Sequence, residues 1–214
     1  MVTSLKNSRV LITAGPTWVK IDSVRVISNT ATGETGILLA EKLTRLGAKV
    51  TLLLGPIGKS NLNKKIRVLH FQYFDELKDL LEKELKTRKY DLAIHSAAVS
   101  DYRPLLAKKG KINSGLKELK IKLTPTPKII NIFKKLQPSI SLVGFKCEPE
   151  ASRVKLIKEA QHLISKSKAD FIVANTLKKE RYLAYLVTHN KESMAIFSKK
   201  DLVDNLIKAA QDYF

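Results

Sequence analysis

The chain is poor in the residues from which several kinds of site are built. Cys147 is the one cysteine among 214 residues. A lone cysteine excludes an internal disulfide and a zinc site made of cysteine pairs. No base stands beside it in sequence to activate it, so it reads as a small buried hydrophobe. His70, His95, His162 and His189 are scattered, and no two stand at metal-ligand spacing. No apolar run is long enough to cross a bilayer. The opening MVTSLKNSRVLITAG lacks the layout of a signal peptide. These absences lead to the expectation of a cytoplasmic protein with no membrane role. The phosphate-binding G-x-x-x-x-G-K-[ST] loop is missing, and so is the dinucleotide G-x-G-x-x-G. Only Gly15 follows the first apolar run, with Pro16 next to it. An oxidoreductase of the Tyr-x-x-x-Lys kind also finds no support, since RYLAY (181–185) does not supply that pair.

Acidic residues are few. Twenty Asp and Glu face 39 Lys and Arg, a formal charge of +19. Such a balance points to polyanions of some kind: nucleic acid, an anionic surface or phosphorylated small molecules. Only eight of the cations are Arg, and they are not interleaved with aromatic residues. A nucleic-acid interface usually concentrates charge and adds Arg or stacking rings. The pattern therefore argues against nucleic acid as the partner and for a solvated, lysine-rich surface that attracts small polyanions.

What is present is a rhythm. RVLITAG (9–15), AKVTLLLG (48–55), KIRVLHFQ (65–72), YDLAIHSAAV (90–99), ISLVGFKCE (140–148) and ADFIVANTL (169–177) read as strands. Between them, 34–47, 74–88 and 150–168 carry apolar residues at helical spacing; in the first these are Ile37, Leu38, Ala40, Leu43 and Leu46, ending at Gly47. Alternating β and α segments predict an α/β, Rossmann-like three-layer sandwich with a mainly parallel sheet. The tail predicts a hairpin, YLAYLVTHN with ESMAIFS, followed by a helix over 199–213. Two stretches are irregular, 16–33 and 100–126. The second contains LKELKIKL (116–123), a short extra β arm or hairpin beside the sheet. The whole chain is expected to form one domain with an irregular arm at about 104–126.

In open α/β sheets, ligands bind at the carboxyl ends of the strands, and both irregular stretches begin at such ends. TATGETG runs into a helix, whose first backbone N–H groups suit a phosphate, although ordinary caps look the same. In HSAAVSDYRP (95–104), small residues let a flat ligand approach; Asp101 fits a base or ribose edge, or a turn. Lys111, in KGKINSG, is either a point charge over phosphates or one surface lysine among many. Phe145 either stacks on a ring or fills the core.

Taken together and in order, LITAGPT, ID.VR.ISN, TG..G, AAVSDYRP, KI, TPKII, VGFK.E and AD.IVAN resemble the phosphopantothenate–cysteine ligase family, also called phosphopantothenoylcysteine synthetases. The resemblance covers roughly residues 8 to 210. It is nearest to the free-standing bacterial type, since no flavin-binding decarboxylase segment precedes it. It implies a ligase of coenzyme A biosynthesis that joins 4′-phosphopantothenate to L-cysteine. CTP, or else ATP, activates the carboxylate through an acyl-nucleotidylate, with release of pyrophosphate and NMP. It implies Mg²⁺, no flavin and a homodimer. Carried over residue by residue, it assigns Asn29, Arg25 and Lys111 to catalysis. Ala97, Ala98, Asp101, Lys111, Phe145 and the run Thr126, Pro127, Lys128, Ile129, Ile130 match the nucleotide site. Asn29 with Thr32, Gly33 and Gly36 matches the substrate and phosphate site. Lys128 stands where many relatives have Asp, Thr176 where many again have Asp, and Leu163 and Ser167 where many have lysines; these differences bear on the choice between CTP and ATP.

Overall fold

The computed structural model describes residues 5–178 and 181–213. In chain order the strands are β1 (Arg9–Ala14), β2 (Trp18–Lys20), β3 (Val26–Ser28), β4 (Lys49–Leu54), β5 (Arg67–His70), β6 (Leu92–His95), β7 (Tyr102–Pro104), β8 (Leu123–Pro125), β9 (Ser141–Cys147), β10 (Phe171–Lys178) and β11 (Arg181–Val187). The helices are α1 (Glu34–Arg45), α2 (Phe74–Thr87), α3 (Ile130–Leu136), α4 (Arg153–Ser167) and α5 (Lys199–Tyr213). Seven strands form the main sheet in the order β11-β10-β9-β6-β1-β4-β5, parallel throughout except for β10 with β11. The mainly parallel, Rossmann-like α/β layout expected from the sequence is what the chain adopts.

The sheet is covered on both faces, and β1 shows why. Along RVLITA every residue after Arg9 is buried. Val10, Ile12 and Ala14 face the core shared with α1 and α5, while Leu11 faces the core shared with α2, α3 and α4. Period-two alternation with both faces apolar is the signature of a central parallel strand. Each fully buried leucine contributes about 1.5–3 kcal/mol, which the short inner strands need because they have few residues with which to hold register.

Some local expectations need correction. On α1 the inward stripe is Gly36, Leu39, Ala40, Leu43 and Thr44, and Leu46 is exposed. Ala40 and Leu43 face inward as expected, whereas Ile37 and Leu38 are only partly buried and Leu39 takes the inward place. The tail hairpin forms in part: 192–196 folds back on β11 through the antiparallel bridges Val187↔Glu192 and Ala184↔Ile196, while the main partner of β11 is β10. β11 thus completes the sheet edge rather than leaving it. LKELKIKL is not a strand through 122; pairing with β7 is confined to β8 at Leu123–Pro125. Lys-rich alternation without a covering layer gives a strand nothing to pack on. The stretch 16–33 holds a small hairpin, β2 with β3, and α3 was not foreseen.

Candidate functional site

The chain order of the sheet reverses between β1 and β6. Ligands of open α/β sheets lie at such a switch point, beyond the carboxyl ends of the strands. Here the two irregular loops leave side by side and are laced together. The Ser96 N–H donates to Thr13 O (3.1 Å), the Ala98 N–H to Gly15 O (3.0 Å) and the Thr17 N–H to Ala98 O (3.2 Å). Below them, Thr17 and Ser100 are buried and share three contacts: Ser100 N–H to Thr17 Oγ1 at 2.9 Å, Ser100 Oγ to Thr17 O at 3.1 Å, and the two hydroxyls 3.2 Å apart. The Thr126 hydroxyl donates to Ser100 O at 2.7 Å, so residue 126 joins the same floor. Gly15 takes φ +82°, the left-handed region, which lets the chain turn at the end of β1.

The first loop is shaped by Asp22. Its side chain is fully buried, yet it is fully satisfied. Oδ1 accepts from the N–H groups of Val24 (2.8 Å) and Arg25 (2.7 Å). Oδ2 accepts from the Ile112 N–H (2.9 Å) and from Arg25 Nη1 (2.7 Å). The Ile112 N–H above all, then the Val24 and Arg25 N–H groups and the Arg25 guanidinium, hold the carboxyl well below the usual range against the opposing effect of burial. Arg25 Nη1 also donates to Ile112 O at 3.1 Å. Ile112 is therefore gripped through both of its backbone groups, and its side chain is buried. The Lys108 N–H donates to Ile21 O (3.1 Å) and the Ser23 N–H to Gly110 O (3.4 Å). Lys111 sits between these pins, exposed to solvent. The geometry thus brings Arg25 and the backbone of the Lys111 loop into contact.

Asn29 follows β3. Its Nδ2 donates to Ala98 O at 3.0 Å and Val99 O at 3.3 Å. This orients the amide across the loop junction with Oδ1 as the remaining acceptor. Four residues later Gly33, at φ +74°, precedes α1 and offers no side-chain cap. Gly36 lies against the end of β1: a Cβ there would meet Ala14 Cβ at 2.5 Å and Ser96 Oγ at 2.8 Å. The first turn of α1 therefore presents its N–H groups close to the strand ends, a geometry suited to phosphate. The Thr32 hydroxyl caps only weakly, at 3.4 Å from the Glu34 N–H, and Glu34 pairs with Lys199.

The remaining expected residues are spread over this rim. Asp101 is paired with Lys128 at 2.6 Å, both side chains more than half exposed. Ala97 and Ala98 are half-buried, and Pro127 is exposed. Ile129 and Ile130 are core residues, packed with α2 and α4, so what they can offer a nucleotide is backbone. Phe145 is partly buried against the α1–α5 core. Cys147 is exposed, which corrects the reading of it as a buried hydrophobe; β9 runs out of cover at its last residue. Ser167 is buried, its hydroxyl donating to Leu163 O at 2.7 Å, so neither position substitutes for a surface lysine.

Three residues that shape the candidate site carry no sequence signal of doing so: Asp22, Ile112 and His95. Asp22 and Ile112 lay inside quoted motifs, but a contact across 90 positions leaves no local signal. His95 ends β6, with Nδ1 at 2.8 Å from Thr13 Oγ1. Burial pushes its imidazole down to about 4, so it stays neutral at pH 7 and positions Thr13, whose oxygen accepts from the Ala97 N–H at 3.3 Å. Among the described residues no three His, Cys, Asp or Glu side chains are grouped to hold a metal ion, and no helix is long and apolar enough to cross a membrane.

The fold and the switch-point loops define a Rossmann-like α/β domain whose candidate site lies at the carboxyl ends of β1 and β6. The chain belongs to the family described as the DNA/pantothenate metabolism flavoprotein C-terminal domain, which matches residues 5–213. It is 42% identical over 176 residues to the coenzyme A biosynthesis bifunctional protein CoaBC of Thermococcus kodakarensis, covering 82% of this chain and 43% of that protein. The chain spans about half the length of the curated relatives it matches. Its fold superimposes with a TM-score of 0.87 on the DNA/pantothenate metabolism flavoprotein from Streptococcus pneumoniae, at 28% identity, covering 97% of this chain and 100% of that one. The crystal structure of the C-terminal domain of a CoaBC protein gives a TM-score of 0.77 at 25% identity, over 99% and 98% of the two chains.

Proposed function

We propose that this chain, as one synthetase-like domain with an arm at about 104–126, joins 4′-phosphopantothenate to L-cysteine in coenzyme A biosynthesis. A carboxylate oxygen of the acid attacks the α-phosphorus of CTP, or of ATP, and pyrophosphate leaves. The amine of cysteine then attacks the acyl carbon of the nucleotidylate, an amide bond forms, and NMP leaves with loss of the amine proton. Such chemistry requires positioning and charge neutralisation more than a protein nucleophile.

The observation that carries this reading is the convergence of Asn29, Arg25 and the Lys111 loop on one switch point, laced through Ala98 and Ile112. In this reading the N-terminal turn of α1, from Gly33 to Gly36, receives the phosphate of the acid. Asn29 Oδ1 faces its reacting end. Lys111 extends from its pinned neighbours over the triphosphate as a mobile point charge. Asp101 and Lys128 meet the nucleotide at the rim. With no carboxylate cluster among the described residues, Mg²⁺ would arrive on the triphosphate and supply charge neutralisation there. No flavin has a part in these steps. The arm exposes Leu105, Leu106, Leu116, Leu119 and Leu123, an apolar surface suited to a second copy and hence to a homodimer.

The test is pyrophosphate release with 4′-phosphopantothenate, cysteine and Mg²⁺, with CTP and ATP run side by side. Release that depends on the acid, with amide product only when cysteine is present, is the expected result and identifies the nucleotide. A folded protein that releases none with either nucleotide overturns the reading.

A further inference from the structure

A second cluster of positive charge lies away from the switch-point site. A cavity of about 450 Å³ opens at the opposite end of the sheet, where β1, β4 and β5 begin. Arg9, Lys49, Lys65, Arg67 and Arg88 line it, with Tyr90. Arg9 and Lys49 are register partners on adjacent strands. Among the described residues neither of these two, nor Lys65, has a carboxylate within ion-pair distance. Like charges gathered without counter-ions repel one another, and a bound anion removes that cost.

Part of the cavity is prearranged. Glu84, buried in the last turns of α2, takes Arg67 in a two-point grip at 2.7 and 2.9 Å. It also accepts from the Tyr90 hydroxyl at 2.5 Å and lies 3.6 Å from Arg88 Nε. The Asp91 carboxylate accepts from the Arg9 backbone N–H at 2.7 Å. Counting these two acids, the five cations still leave a clear positive excess. The helix C-termini explain some of it, since α1 and α2 end here and carbonyl ends attract cations. Arg88 caps α2. Arg9 and Lys49 begin strands, and the helix ends do not require them.

The shape selects the ligand. The feature is a concave pocket rather than a stripe, and its one aromatic, Tyr90, is 6% exposed with its hydroxyl tied inward. It offers no stacking platform for bases. We propose that this cavity binds a small polyanion carrying two or more phosphoryl groups. It is a site separate from the switch point, the length of a six-residue strand away, roughly 20 Å.

Inorganic tripolyphosphate is the probe, titrated calorimetrically into the wild type and into Lys49→Gln/Lys65→Gln and Lys111→Gln variants at 150 mM salt. Both cavity lysines are exposed, so the fold is kept. We expect a binding event that the double variant weakens at least tenfold and that Lys111→Gln leaves in place, while pyrophosphate release by the double variant is unchanged. A parallel titration with ADP separates phosphoryl recognition from added nucleoside contacts; equal or tighter ADP binding with the same lysine dependence supports the site. Tripolyphosphate binding that is identical in wild type and double variant overturns it. So does a single-stranded RNA oligonucleotide that depends on Lys49 and Lys65 while tripolyphosphate does not bind. Because the readout is direct binding, it stands or falls independently of the ligase reaction.

Discussion

Asp22 and Glu84 are both carboxylates buried in the fold, and each holds an arginine. They sit at opposite ends of the sheet. Asp22 directs its oxygens mainly at backbone, to the N–H groups of Val24, Arg25 and, across a long sequence gap, Ile112. Glu84 directs its oxygens at side chains, those of Arg67, Arg88 and Tyr90. A carboxylate that binds backbone sets the path of loops and so the placement of what the loops carry. One that binds side chains ties finished elements together and so contributes stability. The carboxyl end of the sheet is accordingly organised for positioning and the amino end for anchorage, the latter with a surplus of cations on top.

This contrast can be broken most directly at Asn29. Asn29→Asp keeps size and places a negative charge where, in the proposed reaction, the amide would meet the acyl end of the substrate. We expect pyrophosphate release to persist in part and amide formation to fall by about 10²–10³, the range seen when one oriented polar group is removed from a site. The urea unfolding midpoint should fall only slightly, because the two bonds lost, from Nδ2 to Ala98 O and Val99 O, are exposed to water. Rapid-quench separation of pyrophosphate from amide product measures this. Full amide formation would remove Asn29 from its assigned role, and a parallel loss of stability would undo the division between the two ends.

A pH series sharpens the same contrast. His95 has its folded-state pKa pushed to about 4 by burial, against about 6.5 in an unfolded chain. The unfolded state therefore binds the proton more readily between these values. Stability is intact above pH 6.5 and falls as the pH drops towards 4, by about 3 kcal/mol in full. Asp22 and Glu84 are both held below their ordinary values, so what they contribute is present above the usual carboxylate range and is lost only at lower pH. Urea unfolding at pH 7.5 and 4.5 should show the drop in the wild type and a much smaller one in His95→Gln. Equal slopes in the two proteins would assign the acid sensitivity elsewhere.

Glu84→Ala tests the amino end. Tyr90 and Arg67 lose their shared acceptor, and the buried phenol keeps only its longer bond to the Thr51 hydroxyl, at 3.2 Å. We expect a loss of about 2 kcal/mol, less than for a fully enclosed ion pair because Arg67 can turn to water. Pyrophosphate release per folded molecule should be unchanged. A fall in turnover with no change in stability would make Glu84 part of the site rather than of the frame.

Much of this organisation is legible in the sequence, and the limit has a physical cause. Short continuous apolar runs such as VLITA and VTLLL, bounded by turn residues, fit doubly covered strands, and the helices between them follow. The three-residue strands β2, β3, β7 and β8 have no such signature, since their existence depends on partners that the loops bring together. In α1, Leu38 and Leu39 are adjacent leucines that periodicity does not separate, and packing against the sheet selects Leu39. At the candidate site, the order of motifs points to Arg25, Asn29 and Lys111. Asp22 reads locally as a turn aspartate, and that is half of what it does. Its bond to Ile112 belongs to the tertiary fold alone.

The smallest expected effect is also the one that bears most closely on the two carboxylates. Asp22→Asn keeps an acceptor for one loop but cannot hold Arg25 by charge, and its NH₂ group faces the Ile112 N–H or the Arg25 guanidinium, where only an acceptor fits. The loop carrying Lys111 should loosen without unfolding, since Ile112 keeps its apolar burial and Lys108 its bond to Ile21. Misplacing a positioning group by about 1 Å costs up to 10²-fold; because the remaining pins limit the movement, we expect about tenfold in kcat/KM for the nucleotide. Faster proteolysis between 108 and 113 should accompany it, because a loosened loop is cut where its backbone bonds are lost. If turnover falls and the loop stays protected, Asp22 acts through Arg25 alone. If the loop opens and turnover holds, the docked position of Lys111 is not the one that reaches the triphosphate.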